Sequence, residues 1–542
     1  MSTPILPAWP PSLSDEARDY LSHQATDYAL SHGIVYRPLP TPPSAAPPTS
    51  STIHAPFSLF PSPFPRTLFD KAQSIQPAYD LLYAQVSSNH TFLQRVIGDS
   101  VVQVDSFQKQ LWDIYVTVKD DLVQPLSLGL FRSDYLLHDA QSESKAADEM
   151  GSRSGQLELK QVEFNTISAS FGALCTKVNG LHRHLSSTTN YLGVGKDLDK
   201  LENLPENKAQ DVLVGGLAAA HAAYLNQQGY EAPAAKNVYV LFVVQEGERN
   251  AFDQRPLEHA LQGKGIRVVR QSFAEIASRM TLKPDDAKRT LLLNHPVLGL
   301  IEVSTVYFRA GYGPSDYTSE SEWNTRKQLE RSLAIKCPSI AVQLAGAKKV
   351  QQVLAEPDQL ESLLSNLGAD ASTAQKLRET FTDLYPLDES PLGKKGYELA
   401  TTAPQNYVLK PQREGGGNNV YRHDIPPFLA QIESCSPSSL AYNVSKKQAY
   451  ILMSLIKPPA GLGNYLVKSA TATTPGTPVL AKDTVSELGV YGAVLFQNTE
   501  TDTPVEIKHH QSGGYLLRTK GRDSDEGGVA VGFSVIDSPF LI

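Results

Sequence analysis

Lys410-Pro411-Gln412-Arg413-Glu414-Gly415-Gly416-Gly417-Asn418-Asn419 is the stretch on which the reading of this chain turns. Tyr407-Val408-Leu409 leads into it and Val420-Tyr421 leads out, and two extended runs joined by Gly and Asn read as a hairpin. Three adjacent glycines leave the backbone free to take positive φ and put no side chain in the way of a ligand. Their successive N–H groups can form a concavity that holds an anion. Lys410 and Arg413 add positive charge, and Glu414 adds a hard oxygen ligand suited to Mg²⁺. Anion cradle, cations and metal ligand within ten residues predict a nucleotide triphosphate site, although a glycine triplet alone also reads as a flexible surface turn. The spacing is not that of a Walker loop, which needs G-x-x-x-x-G-K-[ST] between strand and helix.

The rest of the composition narrows the field. A chain of 542 residues can bury a large core and should hold more than one domain. Its net charge is −8 and it has no long basic run, which gives no electrostatic footprint for a nucleic-acid partner. An acidic chain that binds anions must concentrate positive charge locally, so individual Arg and Lys residues carry weight. Cys175, Cys337 and Cys435 are far apart and form no C-x-x-C, which fits a reducing compartment. Met1 to Trp9 lacks a basic n-region, and no apolar run approaches the ~18 residues a membrane span requires. A cytosolic protein is the expectation.

Working outward from the hairpin, the chain reads as α/β, with α+β parts. Ser14 should cap a helix that carries Asp15 and Glu16 in its first turn. The Pro- and Ser-rich stretch 36–66 reads as an extended strap, and 68–123 as helical. Leu128–Tyr135 reads as a strand, 139–156 as a loop, and Leu157–Asn165 as a second strand. Around Val162–Asn165 the period of two puts Glu163 and Asn165 on one face. A helix should follow through Leu185. Val238–Val244 is a continuous apolar run, the mark of a strand buried on both faces. Strand and helix then alternate, so 237–310 reads as an α/β unit with a largely parallel sheet. A helix-rich stretch, 321–382, leads to the hairpin. Strands should follow at 449–453, 486–495 and 514–520, with a flexible insertion at 469–478 and a second glycine-bearing loop at 521–528. His182/His184 and His509/His510 have no carboxylate or Cys partners at zinc spacing and read as surface histidines.

Taken in order, these motifs resemble the eukaryotic-type glutathione synthetases. The resemblance rests on Val162–Gly172, Asn250–Arg255, Tyr307–Tyr312, Gln343–Gln352, Lys410–Asn419, Ser486–Gly489, Leu516–Lys520 and Gly527–Ala530. It implies an ATP-grasp fold with an inserted parallel-sheet substrate domain and glycine-rich lid loops. The division would be 1–236 and 346–542 for the framework and 237–345 for the insert. It also implies a homodimer and an ATP-dependent ligase that joins γ-glutamylcysteine to glycine through an acyl phosphate.

The same resemblance assigns residues. Glu163, Asn165 and Glu414 would hold Mg²⁺ with the ATP phosphates. Lys348 and Lys410 would meet those phosphates under Gly415, Gly416, Gly417, Asn418 and Asn419, with Tyr421 a further contact. Met453, Ser454, Leu455 and Ile456 would face adenine, Glu487 the ribose, and Lys520 and Glu526 the other side of the nucleotide. Arg132, Lys410 and Arg518 would be catalytic. Ile167, Ser168, Ala169, Ser170, Gln245, Arg309, Ala310, Gly311 and Tyr312, with Arg132, would contact γ-glutamylcysteine; Arg518, Val529 and Ala530 would meet glycine and product. Ser454 and Leu455 depart from relatives that carry Glu and Lys there, Ala310 replaces an Asp, and Glu526 stands where others have Asp. A ligase using β-alanine or serine, or a non-catalytic nucleotide-binding protein, remain the other readings.

Overall fold

Ser14 caps the first helix, Asp15–Ser31, by accepting from Ala17 N at 3.2 Å, and Asp15 and Glu16 sit in its first turn beside the positive end of the helix dipole. The computed structural model describes residues 6, 8–38, 50–140, 157–231, 234–414, 416–434, 446–469, 476, 478–498, 503–525, 528–529, 532 and 534–542. Gly415, Glu526 and Ala530 among the expected site residues, the loop 141–156, most of 469–478 and Cys435 lie outside the described residues.

A 14-stranded mixed sheet organises the chain. Its centre is antiparallel. Leu126–Asp139 pairs with Thr484–Gln497, which pairs with Glu506–Gly521, and Leu157–Asn165 pairs with 126–139. From 126–139 the sheet continues in parallel through Ile335–Cys337, Gly299–Phe308, Val238–Val243 and Arg267–Gln271. The all-buried pattern of 238–243 is what a strand covered on both faces requires. Three strands here were not marked by the pattern. The 335–337 strand is three residues inside a helix-rich stretch, and Met280–Leu282 with Leu291–His295 forms an antiparallel extension.

The glycine stretch does join two antiparallel strands, with Val408 opposite Tyr421 and Leu409 opposite Val420. They belong to a separate four-stranded sheet completed by Tyr450–Ser454 and Leu384–Pro386. Helices Pro391–Thr402 and Ile425–Ser434 contribute to its own apolar cluster, including Leu409, Leu429 and Leu452.

Helices Arg66–Ser88 and Ala209–Gln228 both pack on the 484–497 strand. Phe164 on the neighbouring 157–165 strand stacks on Tyr83 with centroids 3.8 Å apart, which anchors the strand that carries Glu163 and Asn165. The strap at 53–64 is tied to the C-terminal strands by Asp537, whose carboxylate accepts the hydroxyls of Ser58, Ser62 and Thr519, each at 2.6 Å. His182 belongs to this buried knot rather than to the surface. It is fully buried and its Nε2 donates to Ser58 O at 2.8 Å, because its helix, Gly172–Thr189, turns that position inward.

Cys175 and Cys337 are free and buried, and burial raises both thiols well above the ordinary range. In a Cys435→Ser variant, Ellman's reagent should find no fast-reacting thiol in the folded protein and two after denaturation. A rapid thiol in the folded variant would contradict this packing.

Candidate active site

The large sheet and the hairpin sheet face each other across a cavity of about 450 Å³. Its floor is built from the strands 126–139, 157–165, 484–497 and 506–521, and its roof from the hairpin and the segment after Gly521. In a chain of net charge −8, this cavity gathers Arg132, Arg309, Arg518, Lys410 and Lys520 on its lining.

Two carboxylates converge on one cation at its centre. Lys348 Nζ lies 3.1 Å from Glu163 Oε2 and 3.2 Å from Glu414 Oε1. Lys410 Nζ donates to Val162 O at 2.8 Å, beside the same carboxylates. Burial opposes ionisation of Glu163, but Lys348, Lys410 and Arg518 outweigh it and hold its carboxyl low, at about 2. Burial pushes Glu414 up to about 7, since Lys348 is shared and Glu163 repels it. Lys410 is drawn below its ordinary value by burial, against the pull of Glu163. Asn165 donates Nδ2 to Arg132 O at 3.1 Å and to Asp134 Oδ2 at 3.0 Å, which leaves its carbonyl oxygen as the amide's remaining polar atom. Among the described residues no three His, Cys, Asp or Glu side chains cluster to hold a metal. The donor set is instead two carboxylates and one amide oxygen, all hard. That fits Mg²⁺, which takes few protein ligands and keeps phosphate oxygens and waters.

Arg132 and Arg309 are buried and Arg518 is half-buried, and all three are bonded inside the site. Arg132 binds Asp134 through Nε at 2.5 Å and Nη2 at 2.7 Å, and donates Nη1 to Ser170 O at 3.1 Å. Arg518 reaches Asp134 Oδ2 at 3.2 Å and also pairs with Glu487, which lies directly opposite it in the strand register. Arg309 donates to Ser170 Oγ at 2.6 Å and to Ala169 O at 3.2 Å.

The wall of residues 167–171 is a loop held in unusual backbone geometry. Ser168 and Phe171 take φ of 52° and 74°, in the left-handed region that L residues avoid. Asp253 holds that shape by accepting from Phe171 N at 2.6 Å and from Ala173 N and Leu174 N at 3.1 Å, so it caps the 172–189 helix from another element. Tyr491 donates to Ser170 O at 2.6 Å from below. Opposite, Asp316 accepts Gln245 Nε2 at 2.7 Å, Gly311 N at 2.8 Å and Tyr312 N at 3.2 Å, fixing the turn that presents Gln245 and Tyr312 to the cavity.

The whole chain from 15 to 541 matches the family model described as "Eukaryotic glutathione synthase, ATP binding domain". The chain belongs to the eukaryotic glutathione synthase family. It is 38% identical to the glutathione synthetase of Rattus norvegicus over 539 residues, covering 99% of both chains. It is 37% identical to that of Homo sapiens, covering 98% of this chain and 99% of the other. A solved glutathione synthetase-like effector from Globodera pallida shares the fold, with a TM-score of 0.69 over 98% of each chain at 22% identity.

Most residues that the family resemblance assigned do meet at one place. Arg132, Glu163, Asn165, Ile167–Ser170, Gln245, Arg309, Tyr312, Lys410, Glu414, Gly416, Asn419 and Tyr421 line the cavity, as do 453–456, Glu487, Arg518, Lys520 and Val529. Lys348 lies beneath the two carboxylates. Gly417 and Asn418 are exposed outside the lining, and Ala310 and Gly311 are buried behind Tyr312. The amides of Ser454 and Leu455 are already bonded to Asp383 O and Asn406 O, at 3.0 and 2.8 Å, so only their carbonyls and side chains remain for a ligand. Arg413, counted with the anion cradle, turns away: it pairs with Asp105 and lies over Phe107.

Glu248, Asn250, Arg422 and Asp525 line the cavity without having been singled out. Asp134, Asp253 and Asp316 support it from behind. Asn250 and Asp253 do fall within one of the family motifs, and Asp134 stands two residues from Arg132 on a strand, a spacing that shares a face. Asp316 and the Arg422–Asp525 pair have no local signal. Asp253→Ala should cost roughly 2 kcal/mol in urea denaturation, because it strands three buried N–H groups; unchanged stability would show that the cap is idle.

Proposed function

We propose that the protein is a glutathione synthetase of the ATP-grasp type, joining γ-glutamylcysteine and glycine with formation of ADP and phosphate. The observation that carries this is the convergence of Glu163, Glu414, Lys348, Lys410, Arg132 and Arg518 on one cavity within a full-length family match. The division into a framework, 1–236 and 346–542, and an inserted substrate domain, 237–345, is part of this reading, as are a homodimer and a cytosolic location.

The chemistry follows from what a carboxylate lacks. It is a poor electrophile in water, and transfer of the ATP γ-phosphoryl to the cysteinyl carboxylate gives it a leaving group. The amine of glycine then attacks the acyl phosphate. Because two anions must meet, positioning and charge neutralisation dominate. Glu163, Asn165 and Glu414 would hold Mg²⁺, which neutralises phosphate charge when bound. Lys348 and Lys410 supply fixed positive charge next to that position, and Arg132 and Arg518 supply it from the neighbouring strands of the floor. Ile167–Ser170, Gln245, Arg309 and Tyr312 would orient γ-glutamylcysteine, and Val529 with Arg518 would face glycine.

Purified protein should release phosphate from ATP only when γ-glutamylcysteine and an amine are both present, with glycine preferred over β-alanine and serine. Preference for either of those amines would point to the sister ligase, and no release to a nucleotide-binding protein. Glu414→Ala should lower kcat by roughly 100-fold or more while the melting temperature holds, since a cavity-lining carboxylate and not a core group is lost.

The roof is proposed to act as a lid. Gly416 and Gly417 take φ of 71° and 74°, and Arg422 reaches Asp525 Oδ1 at 2.7 Å across the cavity mouth. An acyl phosphate open to water would hydrolyse, so closure must precede its formation. A Cβ on Gly416 would meet nothing within 4 Å, so the first cost of Gly416→Val is its positive φ, at about 1–2 kcal/mol. That variant should lose kcat more than it weakens γ-glutamylcysteine binding; unchanged kcat would show that the loop is not the lid.

A further inference from the structure

Asp134 does not line the cavity, yet three residues that do line it bond to its carboxylate. It is 1% exposed, on the 126–139 strand two residues from Arg132. Its Oδ1 accepts Arg132 Nε at 2.5 Å. Its Oδ2 accepts three donors from three strands: Arg132 Nη2 at 2.7 Å, Asn165 Nδ2 at 3.0 Å and Arg518 Nη2 at 3.2 Å. A guanidinium bound at both Nε and Nη2 by one carboxylate has its plane fixed, and the third bond, to Ser170 O, fixes its tilt.

The pair has room to lie flat for one reason. Gly489 stands directly opposite Asp134 in the strand register. A Cβ there would come within 2.7 Å of Arg132 Cδ, 2.8 Å of Asp134 Oδ1 and 3.0 Å of Arg132 Nε. These atoms are buried and multiply bonded, so the side chains cannot swing away at little cost. Gly489 therefore acts as a gap in the sheet face, across which the arginine and its carboxylate are laid.

We propose that Asp134 is a positioning residue that sets the guanidinium groups of Arg132 and Arg518 for the acyl-transfer steps, and that Gly489 is the opening that permits this setting. The inference rests on the proposed synthetase activity. Asp134 touches no ligand on this reading; it acts by holding two cations and one metal-ligand candidate in a common frame. Conventional reading of buried ion pairs assigns them to stability, but here one carboxylate serves groups that all face the reacting region.

The test uses the full chain, with phosphate release from ATP, γ-glutamylcysteine and glycine as the readout. Asp134→Asn keeps the shape and replaces an acceptor oxygen by a donor facing two arginines. Its kcat should fall roughly 100-fold, while KM for ATP changes less than about threefold. Combined with Arg132→Ala it should add less than about threefold further loss, since both changes remove one device. Gly489→Ala, which alters no charge and no lining residue, should reproduce the loss of kcat with folding confirmed by its melting temperature. If Asp134→Asn does not fold, Gly489→Ala carries the test alone. A kcat within about threefold of wild type in a folded variant overturns the inference, as does full additivity with Arg132→Ala, which is what a merely structural role gives. Wild-type protein that releases no phosphate overturns the functional reading and this inference with it; active wild type with unaffected variants overturns the inference alone.

Discussion

Charge that is taken out of water must be paired, and that constraint shapes the centre of this molecule. Removing one partner from a buried pair costs about 3–5 kcal/mol, far more than an exposed pair contributes. The cavity's surroundings hold two clusters that meet the constraint differently. In one, Asp134 collects Arg132, Arg518 and Asn165. In the other, Lys348 stands between Glu163 and Glu414. The first is saturated and rigid. In the second, two carboxylates share one ammonium: Lys348, Lys410 and Arg518 outweigh burial and hold Glu163 low, at about 2, while burial and the repulsion of Glu163 push Glu414 up to about 7. A site with one carboxylate held ionised and a second short of positive charge has a place for another cation, which is the electrostatic case for Mg²⁺ beside the phosphates.

The sheet makes this assembly possible because its strands come from distant parts of the chain. Arg132 and Asp134 lie on 126–139, Glu163 and Asn165 on 157–165, Glu487 and Gly489 on 484–497, and Arg518 on 506–521. Hydrogen-bonded register fixes their relative positions to within the pleat. Arg132 faces Asn165, Asp134 faces Glu163 and Gly489, and Glu487 faces Arg518. Each pairing is thus decided by backbone register before any side chain is considered. A slip of one residue on 484–497 would carry Glu487 to the other face and put a side chain where the gap now lies.

How much of this was legible in the sequence depended on distance along the chain. The 157–165 strand with Glu163 and Asn165 on one face, the glycine hairpin, and the alternation over 237–310 are local patterns, and the structure has them. The three-residue strand 335–337 is too short to carry a period and is defined only by its partners. Arg413 looked like part of the anion cradle because Lys410, three residues away, is. Its neighbour in space, Asp105, lies 308 residues earlier and decides its direction. His182 read as a surface residue because no carboxylate or Cys stands at zinc spacing from it, yet the strap and the C-terminal strands cover it. Asp134 could have been suspected from its i+2 spacing to Arg132, but its service to Arg518 and Asn165 could not, since neither is near in sequence.

Floor and roof differ in kind, and the difference has a mechanical sense. The floor is multiply bonded and built on long strands, which resists adaptation to a ligand. Arg422 and Asp525 pair across the mouth, with side chains 46% and 44% exposed, while deeper in, the hairpin is held by Lys410 on Val162 O and by Glu414 on Lys348. A pair so exposed contributes roughly 0–1 kcal/mol, about the scale of thermal energy. Lys520, a residue of the floor strand, also donates to Asp525 O at 2.7 Å, so the same loop touches both parts. With the latch at the mouth so weak, charge bound beneath the roof would bias the position of its outer part. Phosphate under Gly416 would add contacts that the closed roof can make and the open one cannot. Closure would then be driven by differential binding of the nucleotide, with the rigid floor as the fixed reference against which the roof moves.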